Sequence, residues 1–471
     1  MWSTTLLALA TLDLTAAERV LGAYIFARHG DRTPKVLGNT RLTDLGYSEV
    51  HQAGTYYHKR YIADNSSSQI EGISPAIVNL TQLTASSPSD AVLQNSGTAF
   101  LQGVYPPAGA SATETLSDGR KVQAPLQGYQ LVPLSLISSN ANSEDNTWLQ
   151  DATGCNNAKV SSNSYYSSGL YDEVLAQSGG FYRSLEGLLN STFAEGKMSF
   201  KNAYTIFDYL NVASIHNSSN TPTSAQLTRL YQLANIEQYN LAYNDTDTVR
   251  AIAGAQLAGE MLQGLNKTIT SKGKTKLAIQ FGSYGTFLSY FGLAQLPSTN
   301  VNFTGIPDYA SSMAWELVTN SSAPFPDEED ISVRFIFHNG TIPASGAPAT
   351  FPLYGQSAPS MSWKTFVAET RKIAVTSTPE WCKMCGNTDG KCASYSAGES
   401  GSEASAASKG EGGVSRPVAG VIGAMVTLAV ILGLQALFFL VGGFRITKKG
   451  KGTVPVGGVT EDKSKGQSAP V

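Results

Sequence analysis

Residues 26–34 read FARHGDRTP and place His29 between two arginines, Arg28 and Arg32. Guanidinium groups match the oxygens of a tetrahedral anion such as phosphate, and an imidazole nitrogen can attack a phosphorus atom. The same residue types also occur where a strand ends in a charged turn that only meets solvent. The stretch therefore indicates either a phosphate-handling loop or a solvated turn.

The chain around this stretch has the pattern of an α/β fold. The apolar run VLGAYIFA, residues 20–27, is typical of a strand covered on both faces in a parallel sheet. A helix capped by Thr43 is predicted after the loop, and the strand-then-helix order recurs over residues 83–107 and 276–293. We expect a mostly parallel open sheet with helices on both faces. The loop would then lie at the carboxyl edge of the sheet, where such folds bind ligands.

Composition and periodicity divide the chain into segments. Residues 106–269 have helical spacing and little strand signal, and they predict an α-helical cap inserted into the α/β core. The core itself is predicted at residues 18–105 and 270–392. Residues 393–417 are rich in Ser, Gly, Ala and Glu, which predicts a flexible stalk because almost nothing there can be buried.

The two ends of the chain have the patterns of a membrane-anchored secretory protein. Residues 1–17 resemble a signal peptide, although Asp13 interrupts its apolar part. The uncharged run at residues 418–444 is long enough as a helix to cross a hydrocarbon core of about 30 Å. Basic residues follow it at once, so residues 445–471 are predicted to be a cytoplasmic tail. We expect a single-pass protein of the plasma membrane or the secretory pathway, with its N-terminal domain extracellular or lumenal.

Candidate glycosylation sites agree with that route. The chain contains nine Asn-x-Ser/Thr sequons, all upstream of residue 340. They lie at Asn65, Asn79, Asn190, Asn217, Asn244, Asn266, Asn302, Asn320 and Asn339.

The four cysteines are Cys155, Cys382, Cys385 and Cys392. In an oxidising compartment this even count predicts two disulfides, and the sequence leaves all three pairings open. A zinc site at the CKMC pair would need Cys155 as a distant ligand, so we predict no metal and no cofactor. The net charge is −3 and only 15 % of residues are charged, which excludes the basic field of a nucleic-acid-binding protein.

The string RHGDRTP resembles the signature of the histidine acid phosphatase branch of the histidine phosphatase superfamily, whose folds are phosphoglycerate mutase-like. The neighbouring strings LTDLGYSEVHQAG and SGTAFLQGVYPP are similar to the next two helices of that family. SWKTFVAETRKIA with WCKMCG resembles the C-terminal portion of its fungal members. The resemblance implies that His29 is the nucleophile that forms a phosphohistidine. It also implies that Arg28 and Arg32 bind the phosphoryl oxygens of a phosphorylated small molecule or of phosphate.

The chain departs from the family pattern at two places. The family's third arginine would fall at Val92, and no Lys or Arg occurs between Arg60 and Arg120. The family's His-Asp pair, whose aspartic acid protonates the leaving alcohol, would fall at Ser283 and Tyr284. None of the five histidines is followed by Asp.

These departures leave three hypotheses open. Losing a general acid typically costs about 10²- to 10⁴-fold in rate, so a phosphatase with this site would be weak or altered. In the first hypothesis the protein is a cell-surface acid phosphomonoesterase in which Ser283, Tyr284 or a carboxylate of the cap replaces the missing acid. In the second it is a pseudophosphatase that binds an anion or acts as a surface interaction protein. In the third the loop binds nothing, and its charges satisfy backbone groups.

Overall fold

The structure is a computed structural model that describes residues 17–137, 154–217, 219, 221–343 and 348–396. All of these residues belong to one compact unit. The predicted transmembrane helix, the cytoplasmic tail and nearly all of the predicted signal peptide and stalk lie outside the described residues. Within the described part of the chain, no helix is both long and apolar enough to cross a membrane.

The strands are β1 Arg19–Arg28, β2 Leu83–Pro88, β3 Thr113–Thr115, β4 Lys121–Gln123, β5 Ser135–Ile137, β6 Leu277–Gly282, β7 Ser312–Thr319, β8 Ser332–His338, β9 Ala349–Phe351 and β10 Ser360–Ser362. The longer helices are α1 Asp44–Tyr61, α2 Ala91–Val104, α4 Asn156–Ser164, α5 Gly169–Ser184, α7 Ala203–His216, α8 Ser224–Ala242, α9 Ile252–Thr270, α10 Tyr284–Leu293, α11 Trp363–Arg371 and α12 Thr378–Cys385. Three segments of one turn are α3 Pro125–Gly128, α6 Glu186–Leu189 and α13 Ala393–Ser396.

The main sheet is mixed, which corrects the prediction of a mostly parallel sheet. Its order is β10-β8-β7-β1-β6-β2-β5, with β9 on β8. The half from β1 to β5 is parallel, whereas β7, β8, β9 and β10 pair antiparallel. All residues of β7 are buried, like nearly all of β1. Burial on both faces removes the polar alternation typical of an antiparallel strand, so the sequence pattern could not show the direction of β7.

Helices cover both faces of the sheet, as predicted. Along β1, the side chains of Ala23, Ile25 and Ala27 pack on the face covered by α1 and α2. The side chains of Tyr24 and Phe26 pack on the opposite face, against α9 and α10. This alternation places the end of β1 between two apolar layers and fixes the direction in which the loop leaves the sheet.

Helices α5 to α8 share an apolar core of their own, and α4 packs against α8; we call α4 to α8 the cap. Tyr182, Phe200 and Leu230 are among its buried side chains. The predicted cap boundaries of 106–269 stay a prediction. Within them, α9 packs on the sheet, where Gly264 approaches the Tyr24 ring, and β5 pairs with β2.

One disulfide ties the start of the cap to the C-terminal end of the core, and a second closes a short loop within that end. Cys155 pairs with Cys385, and Cys382 pairs with Cys392. No cysteine in the chain is left free. The pairing that the sequence left open is therefore given by the fold, because Cys155 begins α4 exactly where α12 packs against it.

We expect the Cys155–Cys385 bridge to contribute more stability than the Cys382–Cys392 bridge. The first joins residues 230 apart and the second joins residues 10 apart. Loop-closure entropy then gives about 5 kcal/mol for the first and about 3 kcal/mol for the second. Replacing each pair by alanines and measuring urea unfolding checks the order. A larger loss from the short-range pair would contradict it.

The cap contains a buried acid, Glu237, which is 3 % exposed. Its carboxylate accepts the Tyr204 N–H of α7 at 2.8 Å. Burial outweighs this and the other hydrogen bonds and raises the pKa of Glu237 to about 7. The pKa of Glu237 is therefore higher in the folded state than in the unfolded state. Its contribution to the free energy of unfolding is fully present below about pH 4.3 and is lost as the pH rises to 7.

We therefore expect the free energy of unfolding of the unmodified protein to fall relative to Glu237→Gln by up to about 3 kcal/mol between pH 4.5 and 7. Urea unfolding at a series of pH values measures this difference. The exposed Glu186 of α6 gives the control Glu186→Gln, which removes a carboxylate that is in contact with water. A flat profile for Glu237→Gln would show that Glu237 ionises normally in the fold.

Candidate active site

The loop after β1 packs directly on the start of α1. A Cβ atom added to Gly30 would lie 2.2 Å from the Gly46 carbonyl oxygen, so only glycine permits this approach. Thr43 accepts the Gly46 N–H at 3.0 Å and donates to the Asp31 carboxylate. The predicted helix cap at Thr43 is thus present, and it anchors the loop as well as the helix.

His29 is fully buried and its ring has a defined tautomer. Its Nδ1 lies 2.8 Å from the Gly30 carbonyl oxygen. A carbonyl only accepts, so Nδ1 carries the hydrogen, and in the neutral ring the lone pair is then on Nε2. This is the form in which a histidine could attack phosphorus.

Arg32 is bound to the cap. Its guanidinium forms an ion pair with Asp208 of α7 at 3.0 Å and donates to the Tyr204 hydroxyl at 3.1 Å. Arg32 is fully buried and Asp208 is 2 % exposed. The Asp208 carboxylate also accepts the Lys35 N–H at 2.9 Å. The positive charge predicted to bind phosphate is therefore neutralised within the protein.

Arg28 is enclosed by backbone and aromatic rings. It is 4 % exposed and donates to the Pro307 carbonyl oxygen. Its guanidinium carbon lies 4.7 Å from the centre of the Tyr309 ring and 5.3 Å from that of Tyr284. Both distances are those of cation–π contacts.

Tyr309 contacts all three of the predicted phosphate-handling residues. Its ring centre is 5.5 Å from the His29 ring and 5.9 Å from the Arg32 guanidinium carbon, in addition to the Arg28 contact. The turn that holds it is fixed by an Ala310 N–H that donates to the His29 carbonyl at 2.9 Å. No motif around residue 309 signals this position, because the contact depends on the fold.

The positions at which the family residues are missing have other roles. Val92 is buried in the first turn of α2, and the Asp90 carboxylate accepts its N–H at 2.9 Å. Ser283 precedes α10 and is buried, and Tyr284 begins that helix. The Tyr284 hydroxyl donates to the Gln238 side chain of the cap at 2.8 Å. The structure therefore places both candidate acids near the loop but directs the Tyr284 hydroxyl to α8.

A cavity of about 400 Å³ lies beside the loop, between the cap and the core. Arg28 lines it together with three carboxylates, those of Glu49, Asp208 and Asp308. Burial raises the pKa of Glu49, and partial burial raises that of Asp308 against the attraction of Arg28. His29 does not line it. Carboxylates thus outnumber basic side chains among the described residues that line this cavity.

A second polar contact joins the loop to the cap. His216 at the end of α7 lies 2.7 Å from the Asp31 carboxylate, measured from Nε2. Asp31 is fully buried, and its backbone N–H donates to Glu49 at 2.8 Å. Sequence reasoning identified neither this pair nor the one between Arg32 and Asp208, because each joins residues more than 170 positions apart.

The family model described as the histidine phosphatase superfamily, branch 2, matches residues 35–338. The match begins directly after Pro34 and so rests on the chain that follows the loop. No protein among the curated sequences matches.

Several solved structures are similar to this chain. The phytase of Klebsiella sp. ASR1 has a TM-score of 0.50 at 10 % identity, covering 76 % of this chain and 96 % of its own. The phytase of Citrobacter braakii has a TM-score of 0.47 at 13 % identity, with 77 % and 99 % covered. A multiple inositol polyphosphate phosphatase of Bifidobacterium longum has a TM-score of 0.44 at 11 % identity, with 76 % and 95 % covered. At these identities the likeness to the Klebsiella enzyme shows the fold alone.

We expect Asp208→Asn to lower the free energy of unfolding by about 3–5 kcal/mol, because it leaves the buried Arg32 cation without a counter-charge. Urea unfolding measures the loss. The exposed Asp172 of α5 gives the matched control Asp172→Asn, which should change stability by less than about 0.5 kcal/mol. A double variant, Arg32→Met with Asp208→Leu, should recover part of the loss. Equal losses for Asp208→Asn and the control would contradict the role of the pair.

Proposed function

The chain belongs to branch 2 of the histidine phosphatase superfamily, and we propose that it is a pseudophosphatase within that family. In this proposal the phosphate site is filled by the protein's own side chains, and the domain works as a surface interaction protein. The membership confirms the resemblance seen in RHGDRTP at the level of the superfamily. The fungal and membrane-anchored character of the chain remains a prediction.

The contact of Tyr309 with Arg28, His29 and Arg32 carries the proposal. A phosphoryl group under attack by His29 would need to lie among these three side chains, and the Tyr309 ring lies within 6 Å of each. Arg32 already has Asp208 as its counter-ion. A charge-assisted hydrogen bond from Arg32 to a phosphate would be worth about 1.5–3 kcal/mol. To form it, the phosphate would have to displace Asp208 from its ion pair with Arg32.

The absent acid supports the same proposal. Protonation of the leaving alcohol needs a donor that faces the reacting group. The Tyr284 hydroxyl faces Gln238 of the cap instead. An unperturbed tyrosine also has a pKa near 10, which suits acid catalysis poorly at low pH.

The acidic cavity argues against polyanionic substrates. The similar solved structures include phytases and an inositol polyphosphate phosphatase, and those activities are the activities of those proteins. In this chain the cavity beside the loop presents Arg28 together with Glu49, Asp208 and Asp308. Asp208 is compensated by Arg32, and the remaining carboxylates of Glu49 and Asp308 would repel a substrate that carries several phosphate groups.

A slow phosphomonoesterase is the second candidate function. The observation that favours it is the tautomer of His29, whose lone pair is on the nitrogen that a nucleophile requires. Asp308 lines the cavity with Arg28 and has a raised pKa, so it has the chemistry of an acid. This function requires the turn that holds Tyr309 to move away from His29.

Surface features support the proposed location outside the cell. The nine sequon asparagines all lie at the surface, eight of them exposed and Asn244 half-buried. The two disulfides fit an oxidising compartment. The apolar run at residues 418–444 would then anchor the domain as a single span.

We expect the unmodified protein to show no thermal shift with vanadate and Tyr309→Gly to show one. Removing the ring makes room for an oxyanion beside Arg28 and His29, and a ligand at 100 times its Kd stabilises by about 2.7 kcal/mol. Tyr309→Phe keeps the ring and is the matched control, which should not respond. A shift in the unmodified protein would contradict a site that is filled by Tyr309.

Turnover of an aryl phosphate between pH 3 and 7 separates the two functions in the same preparation. The pseudophosphatase should show the same background rate as its His29→Ala variant. A rate that His29→Ala abolishes would overturn the proposal and establish the slow phosphomonoesterase.

A further inference from the structure

A second cavity, of about 960 Å³, lies next to the acidic one and has different walls. Four phenylalanines line it: Phe291, Phe303, Phe337 and Phe351. Their rings contact one another at centre distances of 4.8–5.3 Å, as between Phe303 and Phe351 at 4.8 Å. The volume is within the range of roughly 300–1,000 Å³ that is typical of ligand pockets.

The chemistry of these walls suits a neutral ligand with apolar faces and polar edges. Among the described residues that line the cavity there is no Asp, Glu, Lys or Arg. Amide side chains accompany the aromatic rings instead, including those of Asn235, Asn300 and Gln232. Sugar rings have this combination of surfaces, because their C–H faces pack on aromatic rings while their hydroxyls bond amides. Neutral carbohydrate is therefore the class of ligand that fits.

Two sequon asparagines lie on the rim of this cavity, Asn302 and Asn339. Both atoms of the Asn339 amide are occupied, since its Oδ1 accepts the Asp308 N–H at 2.9 Å and its Nδ2 donates to the Asp308 carboxylate at 3.0 Å. Asn302 is exposed in the turn Val301–Thr304, beside the wall residue Phe303. A sugar attached to Asn302 would therefore start at the edge of the aromatic walls.

An exposed apolar side chain marks the same rim. Val301 lines the cavity and is 71 % exposed, although its neighbour Phe303 is 3 % exposed. A covering at this edge would remove apolar surface from water and so stabilise the fold.

We propose that an N-linked glycan on Asn302 packs its inner sugars into this cavity, where they contact the half-buried rings of Phe337 and Phe351. The glycan then acts as part of the folded domain, unlike glycans at sequons that face open solvent. The proposal rests on the secretory route in the proposed function, and it does not depend on whether the loop around His29 binds phosphate.

Protection from endoglycosidase H tests the proposal. The full chain is expressed in a yeast host that adds high-mannose glycans, and cleavage under native conditions is followed at each site by glycopeptide mass spectrometry. The exposed Asn266 of α9 is the matched reference site. We expect the Asn302 glycan to be removed at least tenfold more slowly than the Asn266 glycan, and the two rates to become equal after denaturation. Phe351→Ala should raise the native rate at Asn302 and leave that at Asn266 unchanged.

Thermal unfolding gives the second measurement. Asn302→Gln should lower the Tm, and Thr304→Ala should lower it at least as much, because it removes the same glycan and also the hydrogen bond from the Thr304 hydroxyl to the Val301 carbonyl. Thr304→Ser keeps the sequon and should retain the glycan, and Asn266→Gln should leave the Tm unchanged. Equal native cleavage rates at Asn302 and Asn266 would overturn the glycan proposal and leave the proposed secretory route standing. The same holds for a preparation in which Asn266 carries a glycan and Asn302 does not. A secreted chain with no glycan at any site would overturn the proposed route as well.

Discussion

The buried ion pair between Arg32 and Asp208 connects the loop after β1 to the cap. Both side chains are almost completely removed from water, so either charge alone would be strongly destabilising. The pair also positions its neighbours, because Asp208 accepts the Lys35 N–H at 2.9 Å. One of the interactions that hold the cap on the core thus removes a cation from the predicted phosphate site. Cap attachment and anion binding compete for the same guanidinium.

The turn that contains Tyr309 is held in place against a backbone cost. Ala310 has a φ of +59°, a left-handed conformation that costs an L-residue with a Cβ about 1–2 kcal/mol. Three contacts offset this cost. Ala310 donates to the His29 carbonyl, the Ser311 hydroxyl donates to the Asp308 carbonyl at 2.7 Å, and Gly340 donates to that hydroxyl at 2.7 Å. Backbone strain that surrounding contacts hold in place is found at sites where the position of a side chain matters. Here it places an aromatic ring beside His29.

The sequence predicted the features that depend on local pattern. The β1 run, the cap of α1 at Thr43 and the order of strands and helices are encoded within a few residues of each other. The antiparallel half of the sheet was predicted wrongly, because β7 is buried on both faces like a parallel strand. The roles of Asp208 and Tyr309 could not be predicted at all. Each acts on residues at least 170 positions away, where only the folded chain brings them together.

Much of the RHGDRTP string can be understood without catalysis, because Arg28, Gly30, Asp31 and Arg32 each have a structural partner. Arg28 donates to the Pro307 carbonyl, and Gly30 allows α1 to pack on the loop backbone. Asp31 accepts from His216 and from the residue that caps α1, while Arg32 forms the ion pair with the cap. A loop with these contacts stabilises the junction of sheet, helix and cap whether or not a phosphate binds. The motif therefore resembles the family signature, whereas the side chains around it determine whether the site can work.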